Sequence, residues 1–398
     1  MATTNPTPEV TSPSEQTGSG LLVLLAALPP EQLEDVIAKL TSTFSPEDTL
    51  IAAADPLVAD AHPGLRIIAN PVVKASWMLT AADFVNSYQL AQKNGARAIL
   101  MLGPEAGSLE SSALRELGHA VTANSTDLAV ARYDLPPRAG LVNSAILYPL
   151  SRALFASQTR FPLAIDLGLS LRMAERLGGA GQRFTSKNQA DMPLWPVNEA
   201  AVAGFSITEN DAGTRVLPHP TEPDLNTILP NLAGSLFADI EAKAAFWQRA
   251  RQAPQTRNST PNGHGQAVDA TADIAPMLQA FRLAYTNLQE IWSLVLPPNT
   301  LLGLKRLSLA DGAAFRMPEG LWARIVYDFV LAHRLRTLNR GHLLGALIPL
   351  YLAWVASHIN VVASGVDPER HIETVATAFE TEKPYILSRW RWPDRFNP

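Results

Sequence analysis

From Leu21 to Ala27 the chain is continuously apolar, and Leu33, Val36, Ile37, Leu40 and Phe44 then recur at helical spacing behind Pro30 and Glu31. The run predicts a buried strand and the spacing predicts a helix. The alternation returns, with Leu50 to Ala54 as a strand ending at Asp55 and Arg66 to Ala69 as another. Ala81 to Gln92 follows as a helix, Ala96 to Leu102 as a fourth strand, a helix around Leu109 to Leu117, and Asp127 to Val130 as a further strand. Strands alternating with helices predict an α/β fold with a mainly parallel central sheet flanked by helices.

The second half reads differently. Gly178 to Met192 is polar and Gly-containing, which predicts a mobile loop or lid. Asp224 to Trp247 has helical periodicity, and Arg249 to Thr271 is polar and rich in Gln, Pro, Asn and Gly. From Ile274 the pattern is mostly helical: a wide stripe from Leu321 to Val330, a run apolar nearly all round from Leu343 to Ala356, and an amphipathic stretch from Ile372 to Phe379. The expected organisation is a disordered tail over 1–20, an α/β domain over 21–251, a linker over 252–272 and a helical extension over 273–398. The end from Tyr385 to Phe396 is expected to pack back on the α/β domain, with Arg389 and Arg391 against Trp390 and Trp392.

Composition narrows the function classes. Of 398 residues, 47% are hydrophobic, which excludes a mainly disordered chain. A net charge of -5 without a basic block argues against nucleic acid as a partner. With no cysteine there is no disulfide, thiol nucleophile or zinc-thiolate site, which suits a cytoplasmic location. Lys39 is the first basic residue, so Leu21 to Leu28 lacks the charged flank of a signal peptide. Leu343 to Ala356 is too short for a bilayer span and contains Pro349, so a core helix is expected. There is no P-loop, dinucleotide fingerprint or nucleophile elbow.

In parallel sheets ligands bind beyond the carboxyl ends of the strands, which draws attention to Asp55, Lys74 and Glu105. Asp55 with Pro56 is equally turn chemistry. Chemically specific residues are densest from Ala131 to Ser170. Arg132 and Tyr133 follow a strand, Pro136 and Pro137 force a bend, and Tyr148, Pro149 and Arg152 open a helix. Pro162 to Ile165 lead into Asp166, a carboxylate in an apolar setting that is costly unless a cation, a metal or a hydrogen-bond donor answers it. Gly168 predicts a turn or a close approach to a ligand, and Ser170 a cap for a helix over Leu171 to Leu177. Arg132, Arg152 and Arg160 flank this floor; they are suited to carboxylates or phosphates, or are solvated surface groups.

YPLSRALF followed by RFPLAIDLGLS resembles the glycosyltransferases of the mannosylglycerate synthase and glucosyl-3-phosphoglycerate synthase type. The likeness continues in order through LWPVNEAAVAGFSITEN, LPHPTEPDLNTILPNLAGSLFADIEAKAAFW, GLWARIVYDFVLAHR, LIPLYLAWVASHIN and FETEKPYILSRW, from about Leu21 to Trp392. It implies a GT-A type nucleotide-sugar-binding domain and a retaining transfer from a nucleotide-sugar donor to a small anionic acceptor such as glycerate or phosphoglycerate. It further implies magnesium or manganese held by an Asp-x-Asp motif after the fourth strand. Here that motif reads Gly103, Pro104, Glu105; the first aspartate is absent, and GPEAGS is equally a polar turn. His219 falls where the family has a metal-binding histidine, and is equally a loop residue between two prolines. Lys74 sits near the family's donor-phosphate lysine, without its flanking glycines. Gly204, Phe205 and Ser206 replace a family Gly-Ile-Asp.

The resemblance makes Asp166 the catalytic carboxylate, orienting the acceptor hydroxyl or the developing oxocarbenium charge. Glu105 and His219 become metal ligands, and Asp55, Lys74, Arg132, Arg152 and Arg160 binding residues. Because the metal motif is degenerate, a second expectation stands beside the transferase: a catalytically inactive glycosyltransferase-like protein binding a sugar nucleotide or a protein partner. A purely structural interaction protein rests only on the apolar carboxyl-terminal helices. The partners expected are small molecules, with no membrane span, and a homodimer is compatible with the pattern.

Overall fold

A computed structural model describes residues 20–26, 28, 30–54, 62, 64–71, 77–217, 224–250, 257–258 and 273–393. The expected disordered tail, apart from Gly20, and most of the expected linker lie outside these. Strands β1 (Leu21–Leu25), β2 (Thr49–Ala53) and β4 (Ala98–Leu102) are buried at every position, as continuous apolar runs require when both faces of a parallel sheet are covered. With β3 (Arg66–Ala69), β5 (Leu128–Asp134), β6 (Asp166–Ser170), β7 (Ile207–Thr214) and the two-residue β8 (Arg257–Asn258) they form one sheet in the order β3-β2-β1-β4-β6-β5-β7-β8. All pairings are parallel except those of β6, which runs antiparallel to both β4 and β5. The α/β class with a mainly parallel sheet is the one that the alternation predicts.

Helices α1 (Pro30–Thr43), α2 (Ala81–Asn94), α3 (Ser111–Thr122), α4 (Tyr148–Phe155) and α5 (Leu171–Thr185) accompany the sheet. Ser170 caps α5, its Oγ accepting the Met173 N–H at 3.3 Å. The helix then runs on to Thr185, so the expected lid over Gly178 to Met192 is corrected: its first half is helix. The glycines serve close helix packing. A Cβ on Gly181 would meet the Ala81 carbonyl at 2.6 Å, and one on Gly178 would meet Tyr88 at 3.1 Å. Gly168 likewise makes no turn; it sits within β6, where a Cβ would meet the Leu117 carbonyl of α3 at 2.7 Å.

Helices α6 (Pro196–Ala203), α7 (Leu225–Ala242) and α8 (Ala244–Trp247) lead to the carboxyl-terminal helices. These are α9 (Ala275–Asn287), α10 (Gln289–Val295), α11 (Pro298–Ser308), α12 (Glu319–Leu335), α13 (Arg340–Ala363), α14 (Pro368–Thr381) and α15 (Lys383–Arg391). They share one buried cluster with α4 and α7, in which Phe155, Phe237, Trp322, Leu347 and Trp354 meet. The Trp322 indole N–H donates to the Ala145 carbonyl at 2.8 Å. Helix α13 is long and apolar enough to cross a membrane, but Leu343, Leu347, Leu350 and Ala353 are buried against its neighbours. The end from Tyr385 to Phe396 was expected to hold its arginines against its own tryptophans. Trp390 instead lies edge-on to Trp247 at 4.9 Å and under Arg334 at 4.1 Å, while Arg389 pairs with Asp328 at 2.9 Å.

Candidate functional site

Because β6 runs against its neighbours, its first residue lies at the end where the parallel strands finish. Asp166 pairs in register with Leu102, and its carboxylate meets the turn that follows β4. Oδ1 accepts the Gly103 N–H at 3.1 Å and Oδ2 the Tyr133 hydroxyl at 2.8 Å. Arg215, immediately after β7, donates from Nε to Oδ2 at 2.9 Å and from Nη2 to Oδ1 at 3.2 Å. Both side chains of this ion pair are 0% exposed.

The guanidinium does more than pair with Asp166. Nη2 also donates to the Pro104 carbonyl at 2.7 Å, and Nη1 donates to the Glu105 carbonyl, to Ser108 Oγ at 3.1 Å and to the Val216 carbonyl at 2.9 Å. Each of its three nitrogens is therefore engaged. Burial by itself lowers the pKa of Arg215, but the Asp166 carboxylate, with Tyr133 and Glu105, reverses this and holds it above its ordinary value. Burial, followed by the Asp166 charge, pushes the Tyr133 hydroxyl well up, so it stays a donor. The cation and donors that a carboxylate in apolar surroundings demands are thus supplied by the chain itself.

Residues 103–108 form a polar turn clamped by two cations, since Lys39 Nζ donates to the Leu109 carbonyl at 3.0 Å and to that of Gly107. Glu105 adopts a left-handed backbone with φ 62°, and its carboxylate accepts from Gln32 at 3.4 Å. At Gly103, where the resemblance places the missing aspartate, a Cβ would meet the Ile165 carbonyl at 2.9 Å. An acid there would require the backbone to move. Among the described residues the donor set does not fit a divalent cation: the Asp166 oxygens are taken by Arg215, Gly103 has no room for a carboxylate, and of the expected ligands Glu105 alone remains. Among the described residues no three His, Cys, Asp or Glu side chains are grouped to hold a metal. Asp55, Lys74 and His219 lie outside the described residues.

A second site lies beside the first. Arg132 and Arg160 line a cleft of about 110 Å³ together with Tyr133, Ser144 and three carboxylates, Asp134, Asp367 and Glu369, the last at the start of α14. Ser144 belongs to a π-helical turn (Asn143–Leu147), a geometry that recurs at functional sites. The buried Arg160 guanidinium lies over the Tyr148 and Phe161 rings at 5.2 and 5.1 Å. It donates to both Glu369 oxygens at 3.0 Å and to Ser144 Oγ at 3.0 Å. Its Nη1 has no hydrogen-bond partner among the described residues. Burial pushes the Glu369 pKa up, and Arg160 with Arg132 and His358 more than offsets it, so the carboxylate is held below its ordinary range. Glu209 accepts the Arg160 backbone N–H at 2.7 Å, and burial leaves its pKa raised.

The structure therefore brings Arg132 and Arg160 together, and Asp166 and the Glu105 backbone around Arg215. Tyr133 touches both sites: its ring side lines the cleft and its hydroxyl holds Asp166. Arg152 stands apart, tying α4 to α14 through Glu380 at 3.1 Å and through Glu373. Ser206 binds the Asp127 carboxylate, its N–H and Oγ both 2.9 Å from it. Burial alone would raise the Asp127 pKa, but Arg172, Ser206 and Ser170 together hold it near about 2. Sequence reasoning missed Arg215. The only signal for it was a lone basic residue directly after a strand, in a sheet with a buried carboxylate to neutralise.

No family model matches the sequence. No curated protein matches it either. Solved structures overlap it in part. Glucosyl-3-phosphoglycerate synthase from Mycobacterium tuberculosis, in complex with Mn2+, UDP-glucose and phosphoglyceric acid, is 13% identical over 56% of this chain and 79% of its own, with a TM-score of 0.37. The same enzyme with Mn2+, UDP and glucosyl-3-phosphoglycerate is 11% identical over 59% of this chain and 85% of its own, also at 0.37. A further mycobacterial protein is 12% identical over 56% and 75%, at 0.36. At these values the overlap assigns neither family nor activity.

Proposed function

We propose that this chain is a catalytically inactive glycosyltransferase-like protein of GT-A type that binds a small carboxylate or phosphate in the Arg132–Arg160 cleft. The observation that carries this reading is the saturation of Asp166: a carboxylate with no exposed surface, chelated by Arg215 and bonded to Tyr133 and Gly103, offers no lone pair to an acceptor hydroxyl. General-base and charge-stabilising roles require reach to the reacting atoms. The ordered resemblance from Leu21 to Trp392 supports the glycosyltransferase-like part. For the ligand, Arg160 has one donor, Nη1, without a partner among the described residues, on a guanidinium already oriented by two rings, and Arg132 lines the same cleft, where Asp134, Asp367 and Glu369 offset part of the positive charge.

The transferase reading, sugar from a nucleotide-sugar donor to glycerate or phosphoglycerate with magnesium or manganese, draws on the same resemblance. The two are separated by incubating the full chain with UDP-, GDP- and ADP-sugars and either acid, with manganese or with a chelator. The inactive reading expects heat of binding from the acid and no release of nucleoside diphosphate. Release that depends on both donor and acceptor would establish the transferase instead.

A further inference from the structure

We propose that Arg215 is the resident cation of the strand-end site: its guanidinium supplies the positive charge that the buried Asp166 carboxylate and the carbonyls of the turn require, so the site is filled from the chain's own sequence. This rests on the reading above in treating Asp166 as a structural anion. The shell consists of both Asp166 oxygens, the carbonyls of Pro104, Glu105 and Val216, and Ser108 Oγ. Oxygen acceptors of this kind elsewhere hold magnesium or manganese. Here they converge on a planar cation instead. The turn is shaped for it: the left-handed backbone of Glu105 accompanies a carbonyl turned to Arg215, and Gly103 keeps the Ile165 carbonyl at close range.

A built-in cation differs from a bound one in being independent of the medium. The wild-type chain should melt at the same temperature in chelator, magnesium or manganese. Arg215→Ala should melt several degrees lower and recover part of the loss in low millimolar guanidinium or manganese, and the recovery should vanish when Asp166→Asn is added. If Arg215→Ala does not fold, Arg215→Lys is compared with Arg215→Gln: the lysine variant should melt closer to wild type because the cation is what the shell requires. The inference is overturned by a manganese-dependent rise in wild-type melting temperature that Glu105→Gln abolishes, by an Arg215→Ala protein indifferent to every cation, or by equal melting of the lysine and glutamine variants. Sugar transfer in chelator would refute the inactive reading while leaving this inference standing.

Discussion

The two arginines at the carboxyl edge of the sheet differ in what they have left to give. Arg215 is dry, with all three nitrogens engaged inside the protein, whereas Arg160 is held by Glu369 and Ser144 yet keeps Nη1 unanswered beside a cleft. A saturated buried ion pair specifies structure, and a partly satisfied one stores affinity, because an unanswered buried donor costs free energy until a ligand meets it. On the reading proposed above, the contrast is between a carboxylate taken up in packing and a guanidinium that keeps one donor for a ligand.

The largest effect should come from breaking the dry pair. Arg215→Ala leaves Asp166 uncompensated, and urea unfolding should show a loss of about 3–5 kcal/mol, with part of it regained in the Asp166→Asn, Arg215→Ala double variant. A loss under about 1 kcal/mol would mean that the pair behaves like a surface contact.

Second is the pH response behind the cleft. His358 and His371 are buried with their Nδ1 atoms 2.7 Å apart, so one must donate and the other accept. Burial, then His371 and, against Glu369, Arg160 bring His358 down to about 4. Glu319 faces the far nitrogen of His371 at 3.5 Å. Folding therefore favours neutral His358: the unfolded chain binds more protons between pH 6.5 and 4, and stability falls as pH drops through that window. The fall is worth up to about 3 kcal/mol. Asp328, which burial raises to about 7, acts in the opposite sense and is shared by wild type and His358→Gln. The measurement is thus the wild-type minus variant difference at pH 7 and pH 5, expected to move against wild type at the lower pH. A difference independent of pH would remove the titration argument.

Third, Arg160→Lys keeps a charge but removes Nη1, the donor left without a partner among the described residues, so calorimetry should show acid binding weakened about tenfold, near 1.4 kcal/mol. Equal weakening by Arg152→Lys would dissolve the distinction drawn between these arginines. The smallest effect is expected at Arg172, itself exposed although its partner Asp127 is buried: Asp127 keeps its bonds to Ser206 and Ser170, so Arg172→Ala should shift the melting temperature least of these variants and leave acid binding unchanged.

What could be read in advance divides along sequence distance. Strand and helix periods are local, so β1, β2, β4 and their helices were legible from runs such as Leu21 to Leu25. Strand β6 was not, because DLGLS carries Asp, Gly and Ser, and nothing local sets its antiparallel direction. That direction is what buries Asp166 beside Leu102. The glycines of α5 read as a loop because a missing Cβ signals freedom and close packing alike, and only the approach of α2 decides between them. Arg132, Arg152 and Arg160 read alike as residues flanking one floor, and only the fold separates the two that line the cleft from the third. The fate of Arg152 was hidden, since its carboxylate partner Glu373 lies 221 residues away, and so was that of Arg215, 49 residues from Asp166.

The claim that the strand-end carboxylate is structural is tested most directly by turnover. Purified full-length protein, given UDP-, GDP- and ADP-sugars with glycerate or phosphoglycerate and manganese, should release no more nucleoside diphosphate than a protein-free control, while still binding the acid. Release above that control, lost in an Asp166→Asn protein that remains folded, would contradict it.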